Sequence, residues 1–269
     1  MEIQRLAGTV ASPPDVGDDE AGSYILIVTV DEDEIGSNSD AGFLQSVQSL
    51  TEQHPQEIVL DLSKVNSIDS GGLKTLSACA RLCSAAGTRL LMDKASKCVM
   101  RVVELSGLGQ LFGLAEAQSA QVVRKRYIAP HNPAWKISER IAFTSAAVVS
   151  ELRNRIMDAA EEAGATGEKL CDIKIAVGEA LANAYRHGSP MGESNNILVK
   201  CLACSQAFVV EIEDEGNAFD PDATPEPNPN DLRDHGMGIY LMRQAMDIVE
   251  YSFHHPGNRV RMVKWLQDV

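Results

Sequence analysis

Asp172-Ile-Lys-Ile-Ala-Val-Gly-Glu-Ala-Leu-Ala-Asn-Ala-Tyr-Arg-His-Gly188 is the stretch on which the reading of this chain turns. It falls on a helix expected to start near Lys169, where Glu179 and Asn183 share one face, one turn apart. Such a face offers a magnesium ion an amide oxygen and leaves a carboxylate free to accept a proton. His187-Gly188 follow one turn on. Two spaced clusters come later, Asp214-x-Gly216 and Gly236-x-Gly238. Asp214 ends the apolar run Ala207-Phe-Val-Val-Glu-Ile-Glu-Asp, placed to accept an exocyclic adenine amine. Gly236 and Gly238 open a further helix, where backbone N–H groups can approach phosphates. Each cluster alone is weak, but in this order they describe an ATP site.

Working outward, the next segments are a hairpin (Asn196–Cys201, a turn, Ala207–Glu213) and a long acidic stretch with Pro221, Pro225, Pro227 and Pro229. A stretch of that length suits a cover over bound nucleotide. A final helix (Ile239–Ala245) and a strand (Arg259–Trp265) close this half. It opens with a strand around Lys136–Phe143 and an amphipathic helix from about Ser145 to Ala163, with Val148, Val149, Leu152, Ile156, Ala159 and Ala160 on one side.

The first half alternates strand-like and helix-like segments. Tyr24–Val30 and Glu57–Leu62 are β-branched apolar runs, read as buried strands. Phe43, Leu44, Val47 and Leu50 recur at helical spacing, as do Leu73, Leu76, Ala80 and Cys83 before Gly87. Arg89–Asp93 reads as a strand, and Val99, Val102, Val103 and Leu105 as a short helix ending near Gly107. The expected division is 1–118, a linker over 119–134 holding Arg124-Lys125-Arg126, Pro130 and Pro133, and 135–269.

The 269 residues suit two modest domains. The net charge of −14 divides evenly between residues 1–125 and 126–269. No basic face stands out, which argues against direct nucleic-acid binding. A basic protein groove is the more natural partner of so acidic a chain. There is no 18-residue apolar run and no charged-then-apolar start, so the expectation is a cytoplasmic protein without a membrane segment. Six cysteines fit a reducing compartment. Cys79 and Cys83 are expected to pack as small apolar residues. Cys201-Leu-Ala-Cys204 has zinc or redox spacing, but it stands where a turn is expected and lacks a second ligand pair, so it is read as core or turn cysteines.

Residues of roughly 136–269 resemble the GHKL ATP-binding superfamily, and within it the small bacterial anti-sigma factors that act as serine protein kinases. The helix quoted above is similar to the family's N box. Asp214-Glu-Gly-Asn-Ala-Phe-Asp-Pro221 is similar to its first glycine box, and Gly236-Met-Gly-Ile-Tyr-Leu-Met242 to its second. The resemblance implies a kinase using ATP and Mg²⁺. Asn183 would ligate the metal and Glu179 would accept the proton of an incoming serine hydroxyl. His187, Gly188, Asp214, Gly216, Ala218, Gly236, Met237 and Gly238 would line the nucleotide, with Arg233 the candidate cation near the γ-phosphate. Arg233-Asp234-His235 stands where the family often has small or basic residues.

Residues of about 1–118 resemble the STAS domain of anti-sigma factor antagonists. Ile58-Val-Leu-Asp-Leu-Ser-Lys-Val-Asn-Ser-Ile-Asp-Ser-Gly-Gly-Leu73 carries the likeness, supported by Leu105-Ser-Gly-Leu108. On pattern alone, Asp69-Ser70 is a helix cap. The resemblance makes Ser70 the phosphorylated serine, with Gly71 in place of a common second hydroxyl. The expected fold class is therefore α/β (α+β): an N-terminal STAS-like mixed sheet with helices, then a C-terminal α/β sandwich of the GHKL (Bergerat) type. The expected function is an ATP-dependent serine kinase and anti-sigma-type regulator of partner switching, with its antagonist-like domain attached. Its expected partners are a sigma factor or other regulator, a STAS-type antagonist (its own domain or an external one), and a second copy in a homodimer. The alternative is a non-catalytic module that binds ATP and holds a partner without transfer. A histidine-kinase fragment would need an acceptor histidine on a long helix, whereas His131 lies in the Pro-rich linker.

Overall fold

The computed structural model describes residues 2–7, 24–36, 40–114, 136–142, 146–188, 196–203, 206–217, 221, 236–253 and 257–267. The chain divides into two compact units, Met1–Ala117 and Gln118–Val269. The expected linker and the prolines at 225, 227 and 229 lie outside the described residues.

The first unit runs β1 (Glu2–Ala7), β2 (Tyr24–Thr29), β3 (Glu34–Ile35), α1 (Asp40–Thr51), β4 (Glu57–Asp61), β5 (Ser67–Ile68), α2 (Ser70–Ala85), β6 (Arg89–Asp93) and α3 (Lys97–Ser106), then a 3-10 turn at Gly109–Phe112. Its sheet is mixed, in the order β1-β2-β4-β6. β2, β4 and β6 are parallel and β1 is antiparallel to β2. Parallel neighbours require crossovers, and α1 and α2 supply them. Leu26, Ile58 and Leu90 lie side by side and are buried, as are Val28 and Leu60. Ile25, Ile27, Val59 and Leu91, on the opposite face, are only half-buried. The apolar runs thus form a sheet with one deep face rather than two, because α1 and α2 pack on each other and cover the same side.

A two-stranded parallel ladder, β3 with β5, stands apart from that sheet. It carries the turn into α2. Asp69 caps this helix: its N–H donates to Ile35 O at 3.2 Å and its Oδ1 accepts from Gly72 N at 2.8 Å. Gly72 has no room for a side chain, since a Cβ there would stand 2.1 Å from Ile35 O. α3 follows the same logic, with Ser96 Oγ accepting from Val99 N at 3.3 Å and Gly107 ending the helix at φ +71°.

At the carboxyl end of β4, buried Asp61 pairs with Lys94 at 2.6 Å. The Lys94 ammonium and Ser63 hold the Asp61 carboxyl down to about 2. A carboxyl depressed in the folded state stabilises it above the unfolded pKa, and that gain disappears as pH falls through the folded value. The Lys94 side chain is 60% exposed, so solvent screening keeps the pair's contribution small. Asp61→Asn is therefore expected to lower stability slightly at pH 7 and to flatten the loss between about pH 4 and pH 2. Urea titrations at the two ends of that window read both effects.

The second unit runs β7 (Ile137–Ala142), α4 (Ala146–Glu162), α5 (Gly167–His187), β8 (Asn196–Ala203), β9 (Ala207–Asp214), α6 (Met237–Ala245), β10 (Ile248–Phe253) and β11 (Asn258–Trp265). Its five strands are antiparallel in the order β10-β11-β9-β8-β7. α4 and α5 pack on the sheet, and α6 packs on α5. The buried rows Val199/Ile212/Val260 and Cys201/Val210/Met262 form the helix-facing core. The other face carries a charge ladder, Lys200–Glu213 at 3.4 Å, Arg259–Glu213 at 3.0 Å and Arg261–Glu211 at 3.5 Å. Leu202, Ala207, Val209 and Val263 form a small second core beside it, against Ile248 and Trp265.

Cys201 is not in a turn. It lies inside β8, which continues to Ala203, and it is buried in the helix-facing row. Cys204 lies outside the described residues. Burial pushes the Cys201 thiol up to about 12. Cys79 and Cys83 pack in the core of the first unit as expected, with thiols pushed up to about 12 and about 11 by burial.

Candidate functional site

α5 brings Glu179 and Asn183 to one face, but not an exposed one. Glu179 is 2% exposed and Asn183 is half-buried. A polar pair kept merely for solubility sits in water; a carboxylate this deep in a helix–sheet core is costly unless it is used or well partnered. One turn on, His187 is exposed, and Gly188 ends the helix with its N–H bonded to Ala184 O at 2.9 Å.

Three glycines from separate parts of the chain close around Asp214. A Cβ on Gly188 would stand 2.4 Å from Asp214 Cβ. One on Gly216 would meet His187 O at 2.6 Å and Gly188 Cα at 2.8 Å. Gly257, at φ +126°, would place a Cβ 2.0 Å from Asp214 O. The end of α5, the end of β9 and the β10–β11 turn can meet only because none of the three carries a side chain. The carboxylate is fixed as well as enclosed. Its Oδ1 accepts from Gly216 N and from Asn258 Nδ2, both at 2.9 Å. Asn258 Nδ2 also donates to Asn217 O at 3.0 Å.

The neighbouring Glu215 braces the same corner, accepting from Asn196 N at 3.1 Å and pairing with Arg140 at 3.3 Å. Gly257, Asn258 and Glu215 escape a reading of the sequence. Pro256-Gly257-Asn258 does signal a turn, but its importance follows only once β10 is recognised as the strand before it.

Gly236 precedes α6 with φ +108°, and Met237 and Gly238 form its first turn. Glycine offers no side chain to cap the first N–H groups, so this helix start suits an anion. Ala218, Arg233, Asp234 and His235 lie outside the described residues, and Pro221 is buried. In the first unit Ser70 is the first residue of α2, half-buried beside the Asp69 cap. Among the described residues no group of His, Cys, Asp and Glu forms a metal cage, and no helix is long and apolar enough to cross a membrane.

Comparison with known proteins separates the two units in the same way. The family described as histidine kinase-like ATPase domain matches residues 143–264, and the Mlab, STAS domain family matches residues 32–115. The serine-protein kinase RsbW of Bacillus subtilis is 31% identical over 126 residues, which are 44% of this chain and 78% of that protein. The chain belongs to the RsbW family. The RsbW of Staphylococcus aureus is 31% identical over 134 residues, 46% of this chain and 82% of the relative. The anti-sigma F factor of Clostridium perfringens is 35% identical over 107 residues, 37% of this chain and 74% of the relative. An RsbW-type unit of the histidine kinase-like ATPase class thus shares one chain with a STAS domain.

Proposed function

We propose that this chain is an ATP-dependent serine protein kinase and anti-sigma-type regulator of a partner-switching system, with an attached STAS domain that accepts a phosphoryl group at Ser70. The observation that carries the reading is the glycine-walled Asp214, one carboxylate oxygen held by Gly216 and Asn258, on a chain of the RsbW family. Oδ2 of Asp214 is the atom for the adenine amine. Gly188 and Gly216 let the end of α5 and the end of β9 close on Asp214 and hold it for the base, and the uncapped start of α6 at Gly236, Met237 and Gly238 receives phosphate oxygens. His187 and Ala218 flank this path, and Arg233 is the candidate cation for the γ-phosphate.

The donor set fits magnesium in one particular manner. With no carboxylate cage among the described residues, Asn183 would supply one protein oxygen and the remaining positions would fall to phosphates and water. Bound there, Mg²⁺ would neutralise charge on the triphosphate. Glu179, one turn away, accepts the serine proton as the hydroxyl attacks. Its burial strengthens that interaction by excluding water.

Ser70 is offered at a helix N-terminus, where the dipole tolerates added negative charge. A partner surface fitted to a neutral serine beside Asp69 does not, so phosphorylation switches which protein is held. In this reading the partners are a sigma factor or related regulator and a STAS-type antagonist, and a homodimer permits transfer between chains. Incubation with ATP and magnesium followed by phosphosite mass spectrometry tests it, with Ser70 expected as the modified residue. Mixing Ser70→Ala chains with Glu179→Ala chains then separates the routes: label on the latter means transfer between molecules. An unmodified Ser70 beside a modified added antagonist would remove the self-acceptor role and leave the kinase.

A further inference from the structure

Lys264 lies on β11, and its side chain enters the interior of the second unit, 12% exposed. Its ammonium stands 2.6 Å from Oδ2 of Asp172, a side chain only 3% exposed, and donates to the carbonyl of Ala245 at 2.7 Å. One cation therefore joins two helices. Asp172 is in the second turn of α5, while Ala245 is the last residue of α6, where helix carbonyls present partial negative charge. The joint is reinforced around it. Asp247 accepts from Trp265 N at 2.7 Å and donates from its own N–H to Val263 O at 3.0 Å, and Lys169 Nζ reaches Leu266 O at 3.0 Å.

The two helices it joins are the two that bear the proposed chemistry. Only Gly167–Cys171 of α5 precede Asp172, so α6, packed on α5 with its C-terminal end at Asp172, runs back toward Glu179. Asp172 and Glu179 are seven residues apart on α5, and Gly238 and Ala245 are seven apart on α6. At the α-helical rise, each functional residue is about 10 Å along its helix from the same pin. A buried ion pair seldom raises stability above that of an apolar pair of equal size. Fixing the register of two helices is a better reason to keep one.

We propose that Lys264, through Asp172 and the Ala245 carbonyl, is a positioning residue for phosphoryl transfer: it sets the spacing between Glu179 and the glycine-bearing start of α6. This rests on the kinase reading above and adds to it a residue that touches neither nucleotide nor acceptor. Base and phosphate must stand within a narrow range of separation, so slack between the helices lowers turnover more than binding. ATP still has Asp214, which belongs to β9 and is anchored by other contacts.

The test uses the full chain, γ-labelled ATP with magnesium, and rates measured across ATP concentrations. Lys264→Met is expected to lower kcat at least about tenfold while KM for ATP stays within about threefold. Asp172→Asn should give the same split, and Lys264→Arg should recover part of kcat by keeping a buried cation. A folded Lys264→Met chain with kcat within about twofold of the wild type overturns the inference. So does a loss that merely equals the unfolded fraction measured by circular dichroism. Should Lys264→Met fail to fold, the double variant Asp172→Leu/Lys264→Met, which removes both charges of the pair together, is judged by the same criteria. A wild-type chain that transfers no label overturns the kinase reading, and this inference with it.

Discussion

Glu179→Gln will lower phosphoryl transfer by about 10²–10⁴-fold, the range associated with loss of a general base, and will leave ATP binding nearly unchanged. The glutamine keeps the volume and most hydrogen-bonding capacity of a residue that is 2% exposed, so the core it occupies survives. What it loses is the ability to take a proton from serine. Nucleotide titration and label transfer on the same sample separate the two effects. Equal transfer by the variant and the wild type would mean that Glu179 is structural and that the proton leaves by another route. Unchanged binding without transfer in either protein would favour the module that grips ATP and a partner but does no chemistry.

Gly188→Ala should have the opposite signature, loss of nucleotide binding. The methyl group would arrive 2.4 Å from Asp214 Cβ and 2.6 Å from Ala184 O. Neither neighbour can swing aside, the first because Asp214 is tied to Gly216 and Asn258 and the second because it is helix backbone. Asp214 is therefore driven out of register with the base it is proposed to read. Losing one charge-assisted hydrogen bond costs about 1.5–3 kcal/mol, or about 10–150-fold in ATP affinity. Asn258→Ala leaves Asp214 in place but unbraced, and a smaller loss is expected from it. Isothermal titration with ATP and magnesium gives both values. An undiminished affinity in Gly188→Ala would place the adenine elsewhere.

Much of the architecture was legible because local signals and global packing agree. Gly87 and Gly107 stop helices where the chain needs positive φ, and Asp69 caps where it also carries the likeness to antagonists. The helix bearing Glu179 and Asn183 could be placed from its own residues, though α5 starts at Gly167 rather than near Lys169. Two kinds of feature stayed hidden. β3 and β5 are two residues each, too short for any periodicity, and β10 mixes Glu250 and Ser252 with apolar residues on an edge strand. The second kind is tertiary. That Glu179 is buried follows only from packing across the fold, while Asn258 lies 44 positions from the Asp214 it braces and Lys264 lies 92 from Asp172, and no window along the chain contains both partners. Cys201 is the core cysteine that one of its two readings expected, and only the extent of its strand was short, since β8 runs on to Ala203.

Gly72 sits so close to Ile35 O that the chain ahead of it cannot be drawn out without breaking the packing of α2 on β3. Ser70, two residues earlier, is thus presented on a rigid knob of folded protein and not on an extended strand of chain. An enzyme acting on it must read shape before chemistry, and so would disregard the same short sequence in a denatured protein. On the proposed reading of Ser70, only an intact domain of this contour would present the acceptor hydroxyl.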